Sequence, residues 1–251
     1  MNKQTWTIAK MNLKNIKIPY FVTGLVILVT FVQSVIFTII AAVGGNAGHQ
    51  LSISSANYPW LLVLLAAIFI PARNFRKIVN LGGKRDDFFW GSMITYVVLA
   101  GAVSLANTIL YYTYDHFLIS TGTYVGVEAF VRDTSLMDSH YVIVNLIELS
   151  GWSANGIFFA VIQQFAFLLL LAAAVHTLTS IQDKWYGWAA DVIIAAILAV
   201  FIPIASLRVW LIGFFNLIIF HSNAFLQISN CLMLAIVIYA FNKPILARKA
   251  I

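Results

Sequence analysis

The sequence predicts an all-α integral membrane protein with six transmembrane helices. It adds an N-terminal interfacial amphipathic helix and a re-entrant segment between helices 5 and 6. Three observations carry that prediction. Of 251 residues, 61% are hydrophobic and only 10% are charged, where soluble domains carry about 25% charge. Apolar intervals without any charge are long enough to cross a bilayer. The bases gather on alternate connecting segments.

The first 19 residues form the interfacial helix. Trp6, Ala9, Leu13 and Ile16 share one helical face and Lys10, Lys14 and Lys17 another. That pattern suits a helix lying among anionic headgroups. Residues 20–251 then form the transmembrane domain. No charge occurs between Lys17 and Arg73, and polar, glycine-containing sequence divides this interval at 44–57. A crossing needs about 20 apolar residues, which places spans near 20–43 and 56–75. The next charge-free intervals give spans near 88–112, 154–177, 188–208 and 224–241. Val209–Phe220 is too short for a crossing and is expected to dip into the outer leaflet before His221-Ser222-Asn223 breaks the run.

Orientation follows from Lys and Arg. With both termini cytoplasmic, 13 of the 15 bases lie on inner segments, leaving only Arg132 and Arg208 outside. The outer segments carry the acids Asp115, Glu128, Asp133, Asp138 and Glu148. The basic balance therefore reflects membrane topology and gives no reason to expect nucleic-acid binding. The 24-residue apolar run at Tyr20–Val43 exceeds a signal-peptide core, so no cleaved leader is expected.

Residue patterns exclude much chemistry. Gly151 and Gly156 have phosphate-loop spacing, but Ile157-Phe158 stands where Lys-Ser/Thr is required. Ser153 and His221 invite comparison with intramembrane serine proteases, but Ser153 lacks the following glycine and His221 sits in a polar break. The histidines His49, His116, His140, His176 and His221 occur singly, without zinc spacing. They read as interfacial, with His176 capping the inner end of the fourth span. Cys231 has no second cysteine in the chain and reads as a small core hydrophobe. No catalytic or metal-binding residue is predicted. Gln33, Asn107, Gln163, Gln164 and Asn230 lie inside spans, where amides bond neighbouring helices or line a wet pathway.

The most informative segment runs from Pro71 to Ser92. Pro71 bends the second span, a short basic helix follows to Leu81, and Gly82-Gly83 permits a reversal. Asp86 or Asp87 then favours the start of the third span through the helix dipole. This elbow, read as Asn-Leu-Gly-x-x-Arg-x-x-Phe-Phe-x-Gly-Ser, resembles that of permease subunits of small bacterial ABC-2 exporters. The amphipathic start, six spans and membrane-dipping segment are similar too.

The resemblance implies that Asn74, Arg76, Lys77, Asn80, Leu81, Gly82, Arg85, Phe88 and Phe89 form a coupling element on a separate cytoplasmic ATPase. ATP and Mg would bind that partner, with no cofactor on this chain. A second permease, identical or paralogous, would complete a multi-pass assembly in the cell membrane and move a hydrophobic or amphipathic substrate outward. Two other readings are a substrate-capture subunit of a vitamin-type importer and a non-transport membrane or immunity protein. The outer segment Asp115–Glu148, including Tyr124, Phe130, Tyr141 and Val142, is expected to form a small ordered cap.

Overall fold

A computed structural model describes residues 3–43, 51–120, 124–126 and 141–248. They are mostly helical. Five helices are long and apolar enough to cross a membrane, and a bent pair supplies a sixth candidate. This supports a membrane-embedded chain. The chain divides into two compact units, one of residues 1–17, 63–100 and 165–251, the other of residues 18–62 and 101–164.

In the first unit, α1 spans Lys3–Asn15. Of the expected apolar face, Ala9 and Ile16 are buried and Trp6 is 45% exposed, and Thr5, Ile8 and Asn12 are buried as well. Thr5 and Asn12 face the protein because their hydroxyl and amide groups find partners there, whereas a lipid-facing side needs none. Trp6 instead lies under Lys10, whose Nζ is 5.8 Å from the ring centroid.

The second predicted span continues in this unit as a chain of helical segments. The helix α3, Trp60–Phe69, passes into a π-helical turn at Ile70–Asn74 and then into α4, Phe75–Asn80. Pro71 sits in the π turn because proline cannot supply the N–H that the regular ladder requires. Gly82, at φ +84°, ends α4 in the left-handed region. The Gly83 N–H donates to the Ile78 carbonyl at 2.9 Å. A Cβ on Gly83 would stand 2.6 Å from Ile78 Cγ2, so neither glycine accepts a side chain easily.

Next come α5, Arg85–Leu110, and α8, Ile157–Ile181. The fifth predicted span differs from expectation. A helix at Trp185–Phe201, α9, breaks at Ile202–Ile204, and α10, Ala205–Ile218, follows at a bend of 118°. The charge spacing pointed to Arg208 as the end of the span, but Pro203 sets the break because its ring cannot continue the helix. Arg208 consequently falls in the first turn of α10. The last helix, α11, covers Ala224–Arg248 and continues through Pro244.

The second unit contains α2, Lys17–Ala42, and the connections around residues 51–62 and 111–156. It also departs from an all-α fold. Three short strands, β1 (Leu51–Ile53), β2 (Tyr124–Gly126) and β3 (Tyr141–Val144), form a parallel sheet in the order β1-β3-β2. Strand β3 pairs Val142 with Leu51 on one side and with Val125 on the other. Charge-free apolar runs identify spans but carry no signal for strands this short. A π turn at Tyr111–Asp115 leads from α5 into α6, His116–Ser120, and a one-turn helix α7 occupies Leu146–Leu149. Gly151 and Gly156, at φ +71° and +84°, bracket a 3-10 turn at Trp152–Asn155. Their phosphate-loop spacing is thereby accounted for as backbone geometry. Phe130, Glu128, Asp133 and Asp138 of the expected cap lie outside the described residues.

Among the described residues, all 13 bases fall in the first unit, whereas the second holds only the acids Asp115 and Glu148. The first unit's bases include Arg208, which the orientation reading places on the outer side.

Candidate functional site

The elbow is built on a buried polar chain. Asn74, 2% exposed, donates through Nδ2 to Asn12 Oδ1 at 3.1 Å. Asn12 donates in turn to Ser92 Oγ at 3.3 Å, and Thr5 Oγ1 donates to Asp87 Oδ1 at 3.0 Å. These bonds tie α1 to both arms of the elbow, the π turn before α4 and the start of α5. Gly91 allows the close approach: a Cβ there would lie 2.7 Å from Ile8 Cγ2 and 3.0 Å from the Thr5 carbonyl oxygen.

Aromatic packing fixes the inside of the elbow. Phe75 and Phe88 are fully buried and meet edge to face at 5.2 Å between centroids. Phe89 packs on Tyr239 at 4.7 Å, and Tyr239 Oη donates to the Phe89 carbonyl at 2.8 Å. Arg85 donates through Nη1 to the Leu246 carbonyl at 3.2 Å and also to that of Ala247. A cation here complements the negative end of α11. Lys243 Nζ lies 3.9 Å from Asp86 Oδ1 at the same helix ends.

The predicted coupling residues therefore separate into two sets. Asn74, Phe88 and Phe89 are internal, and Arg85 is engaged with the end of α11. Arg76, Lys77, Asn80, Leu81 and Gly82 are exposed, with Leu81 at 76%. A buried base thus carries an exposed crest of two cations and one leucine.

Below the elbow, α5, α8 and α11 enclose an apolar groove of about 270 Å³, whose walls include Trp90, Met93, Tyr96, Ala173, Ile236 and Tyr239. At its floor, Tyr96 Oη and His176 Nδ1 are 2.6 Å apart. His176 is fully buried among Phe88, Tyr96 and Tyr239. The interfacial capping position expected for it is corrected accordingly: aromatic neighbours and a phenol accommodate the imidazole inside the helix bundle.

The intramembrane amides mostly find protein partners. Asn107 Nδ2 donates to Gln164 Oε1 at 3.0 Å, and Gln164 Nε2 donates to Thr108 Oγ1 at 2.9 Å. Asn155 donates to Gln163 Oε1 at 3.4 Å, and Asn230 to the Leu217 carbonyl at 3.0 Å. Gln33 alone of the five is exposed, midway along α2.

A second polar centre, unforeseen in the sequence, lies in the connections of the second unit. Ser54 Oγ is 2.8 and 2.7 Å from the two carboxylate oxygens of Asp115, and Asn145 Nδ2 donates to Asp115 Oδ2 at 2.6 Å. Asn145 Oδ1 accepts from the Ile147 N–H at 2.8 Å, capping α7. Local sequence signals for this centre were present in Ser54 and Asn145 as cap residues, but their distance in sequence hid their shared partner. Among the described residues, no cluster of three metal-ligating side chains occurs. No family model, curated protein or solved structure matches the chain.

Proposed function

We propose that this chain is the permease half of an ATP-driven exporter of ABC-2 type, docked through Arg76–Gly82 on a separate cytoplasmic ATPase. The observation that carries this reading is the elbow's division of labour. Its crest offers Arg76, Lys77 and Leu81 to solvent, while Asn74, Phe75, Phe88 and Phe89 lock its base to α1, α5 and α11. A loop needed only for connection has no use for this combination. Force applied to the crest would pass into spans through packed rings and short hydrogen bonds. ATP and Mg belong to the partner.

Gln33 supports a second permease copy or paralogue. An exposed amide in the middle of a span is costly against lipid and is relieved by a polar partner on another helix. The reading also takes α9, which rises about 25 Å, as the fifth crossing and α10 as the segment that dips back before α11 crosses. Six crossings then return the C-terminus to the cytoplasm, as the base distribution requires. The substrate class is hydrophobic or amphipathic and crosses between the two permeases.

The test is whether an ATPase subunit copurifies with this chain. Reversing charge with Arg76→Glu and Lys77→Glu should abolish ATPase recovery while detergent-extracted protein remains monodisperse. Arg85 is left unchanged because it holds the end of α11. Full ATPase recovery with the double variant would overturn the docking assignment.

A further inference from the structure

We infer that the groove between α5, α8 and α11 holds one acyl chain of a zwitterionic phospholipid with an amine headgroup, phosphatidylethanolamine, from the cytoplasmic leaflet. The inference needs the chain to be membrane-embedded, with its basic ends cytoplasmic. It does not depend on docking of an ATPase.

The groove is apolar and belongs to helices long enough to cross a bilayer. Its rim residues Trp90, Val97 and Ile236 are 50%, 40% and 63% exposed, so the space opens where hydrocarbon surrounds the helices. From Phe89 to Val97 on α5 the groove runs about 12 Å, most of the ~15 Å depth of one leaflet's hydrocarbon. Small residues on two walls, Ala173 and Ala240, leave the width that a single chain occupies.

The headgroup follows from the groove's inner end. On α11, Ile236, Ala240 and Lys243 stand at spacings that share one helical face. A chain lying along Ile236 and Ala240 therefore brings its headgroup to Lys243, with Asp86 3.9 Å away and both side chains exposed. This exposed pair of opposite charges complements a headgroup that also carries both: phosphate toward Lys243, ammonium toward Asp86. Pro244 adds an acceptor. It brings no N–H to the Ala240 carbonyl, which points along the helix toward the same end. An acidic headgroup without the amine would meet Asp86 unfavourably. Trp90 at the rim suits the headgroup boundary, where indoles concentrate.

Such a lipid would brace α5 against α11 beside the Tyr239–Phe89 hydrogen bond. The experiment uses the full chain in nanodiscs containing phosphatidylethanolamine and phosphatidylglycerol, with a diazirine on the acyl chain of one lipid at a time. Adducts from phosphatidylethanolamine should concentrate on 89–97 and 232–240 and exceed those from phosphatidylglycerol. Ala240→Trp, at an exposed position, should lower them about tenfold, the effect of displacing two buried methylenes. Lys243→Glu should lower them as well. Exchanging the charges with Asp86→Lys and Lys243→Asp should preserve them.

Labelling no denser in the groove than along exposed α2 would overturn the inference, as would groove labelling unchanged by Ala240→Trp. Preference for phosphatidylglycerol would overturn the headgroup assignment. Disulfide crosslinking between copies through Ile236→Cys would identify a second chain as the occupant and overturn the lipid. Loss of ATPase copurification in the elbow variants leaves each of these readouts intact, so failure of the transport reading is distinguishable.

Discussion

Asn74 and Asn12 are buried partners, with Asn74 Nδ2 donating to Asn12 Oδ1 at 3.1 Å. Through this contact the N-terminal helix holds the point where the second span turns into the elbow. Asn12 passes the connection to Ser92 on α5. Replacing Asn12 by Leu leaves Asn74 and Ser92 without these bonds inside the first unit. A buried polar group so stranded costs about 1–3 kcal/mol. Thermal unfolding in detergent should fall by several degrees, and a cysteine at Ala9 should gain reactivity toward a water-soluble maleimide. Unchanged stability and an unreactive cysteine would show that α1 is held by apolar packing alone.

Gly91 gives a steric version of the same contact. A methyl at this position meets Ile8 Cγ2 at 2.7 Å and the Thr5 carbonyl oxygen at 3.0 Å. Gly91→Ala should therefore displace α1 and lower stability, even though alanine is the better helix former by about 1 kcal/mol. Adding Ile8→Ala should recover part of the loss by removing the closer contact. A stabilised Gly91→Ala protein would mean that α1 does not rest against α5 there.

Gly82 isolates the turn itself. At φ +84° a branched side chain is strained, whereas asparagine tolerates the left-handed region better. Gly82→Val should lower ATPase recovery because it misplaces the exposed Leu81. Gly82→Asn should retain most of it. Equal recovery from both variants would separate the turn's geometry from partner binding.

Much of this was legible in the sequence because the signals were local. Charge-free runs located the apolar helices, and the Gly82-Gly83 pair located the reversal after α4. Pro71 and Pro203 both interrupt regular helix, but Pro71 stands beside basic residues and a glycine pair that also signal a turn, whereas at the second site Arg208, five residues on, gives a charge signal for the span end in the wrong place. The buried role of His176 was invisible because Tyr96 and Tyr239 approach it from separate helices. The protein-facing side of α1 was hidden for a related reason. Periodicity ranks Thr5 and Asn12 as solvent-facing, yet each has a buried partner more than 60 residues away. The parallel sheet joins segments about 90 residues apart, and its strands are only three or four residues long.

The intramembrane amides distinguish packing from a substrate pathway. Gln164 accepts from Asn107 and donates to Thr108, so a single Gln164→Leu change deprives both. The double variant Asn107→Leu with Gln164→Leu removes the amide pair together. If this network serves helix packing, the double variant should be less destabilised than the sum of its singles by about 1 kcal/mol, and transport should track stability. Additive losses, or transport lost with stability intact, would assign the amides to the pathway.

The last prediction concerns Asp115, which is 1% exposed and collects the Ser54 hydroxyl and the Asn145 amide. Both partners are donors toward it, so the site requires an acceptor on each side. Asp115→Asn keeps the shape but turns one acceptor into an NH2 donor, which must face the Ser54 hydroxyl or the Asn145 amide. Ser54 Oγ already accepts from the Ala56 N–H at 3.0 Å and from Asn145 Nδ2 at 3.2 Å, and the Asn145 oxygen already caps α7 through the Ile147 N–H. The asparagine should therefore keep its oxygen on Asn145 Nδ2 and leave its NH2 unmatched beside Ser54, a loss near ~1 kcal/mol. Asp115→Leu removes both carboxylate acceptors, strands the Ser54 hydroxyl donor and leaves Asn145 Nδ2 only its 3.2 Å bond to Ser54 Oγ, so it should cost more, about 2–3 kcal/mol. Ser54 also bonds through its backbone N–H to the Val144 carbonyl at 3.0 Å, so disorder at Asp115 should spread to the β1–β3 pairing. Hydrogen exchange at residues 51–57 and 141–147 provides the readout. Protection should fall slightly in Asp115→Asn and strongly in Asp115→Leu, with Ser54→Ala between them. If exchange at these segments is the same in all three variants, the carboxylate does not organise the connections of the second unit, and the sheet stands on its own apolar contacts.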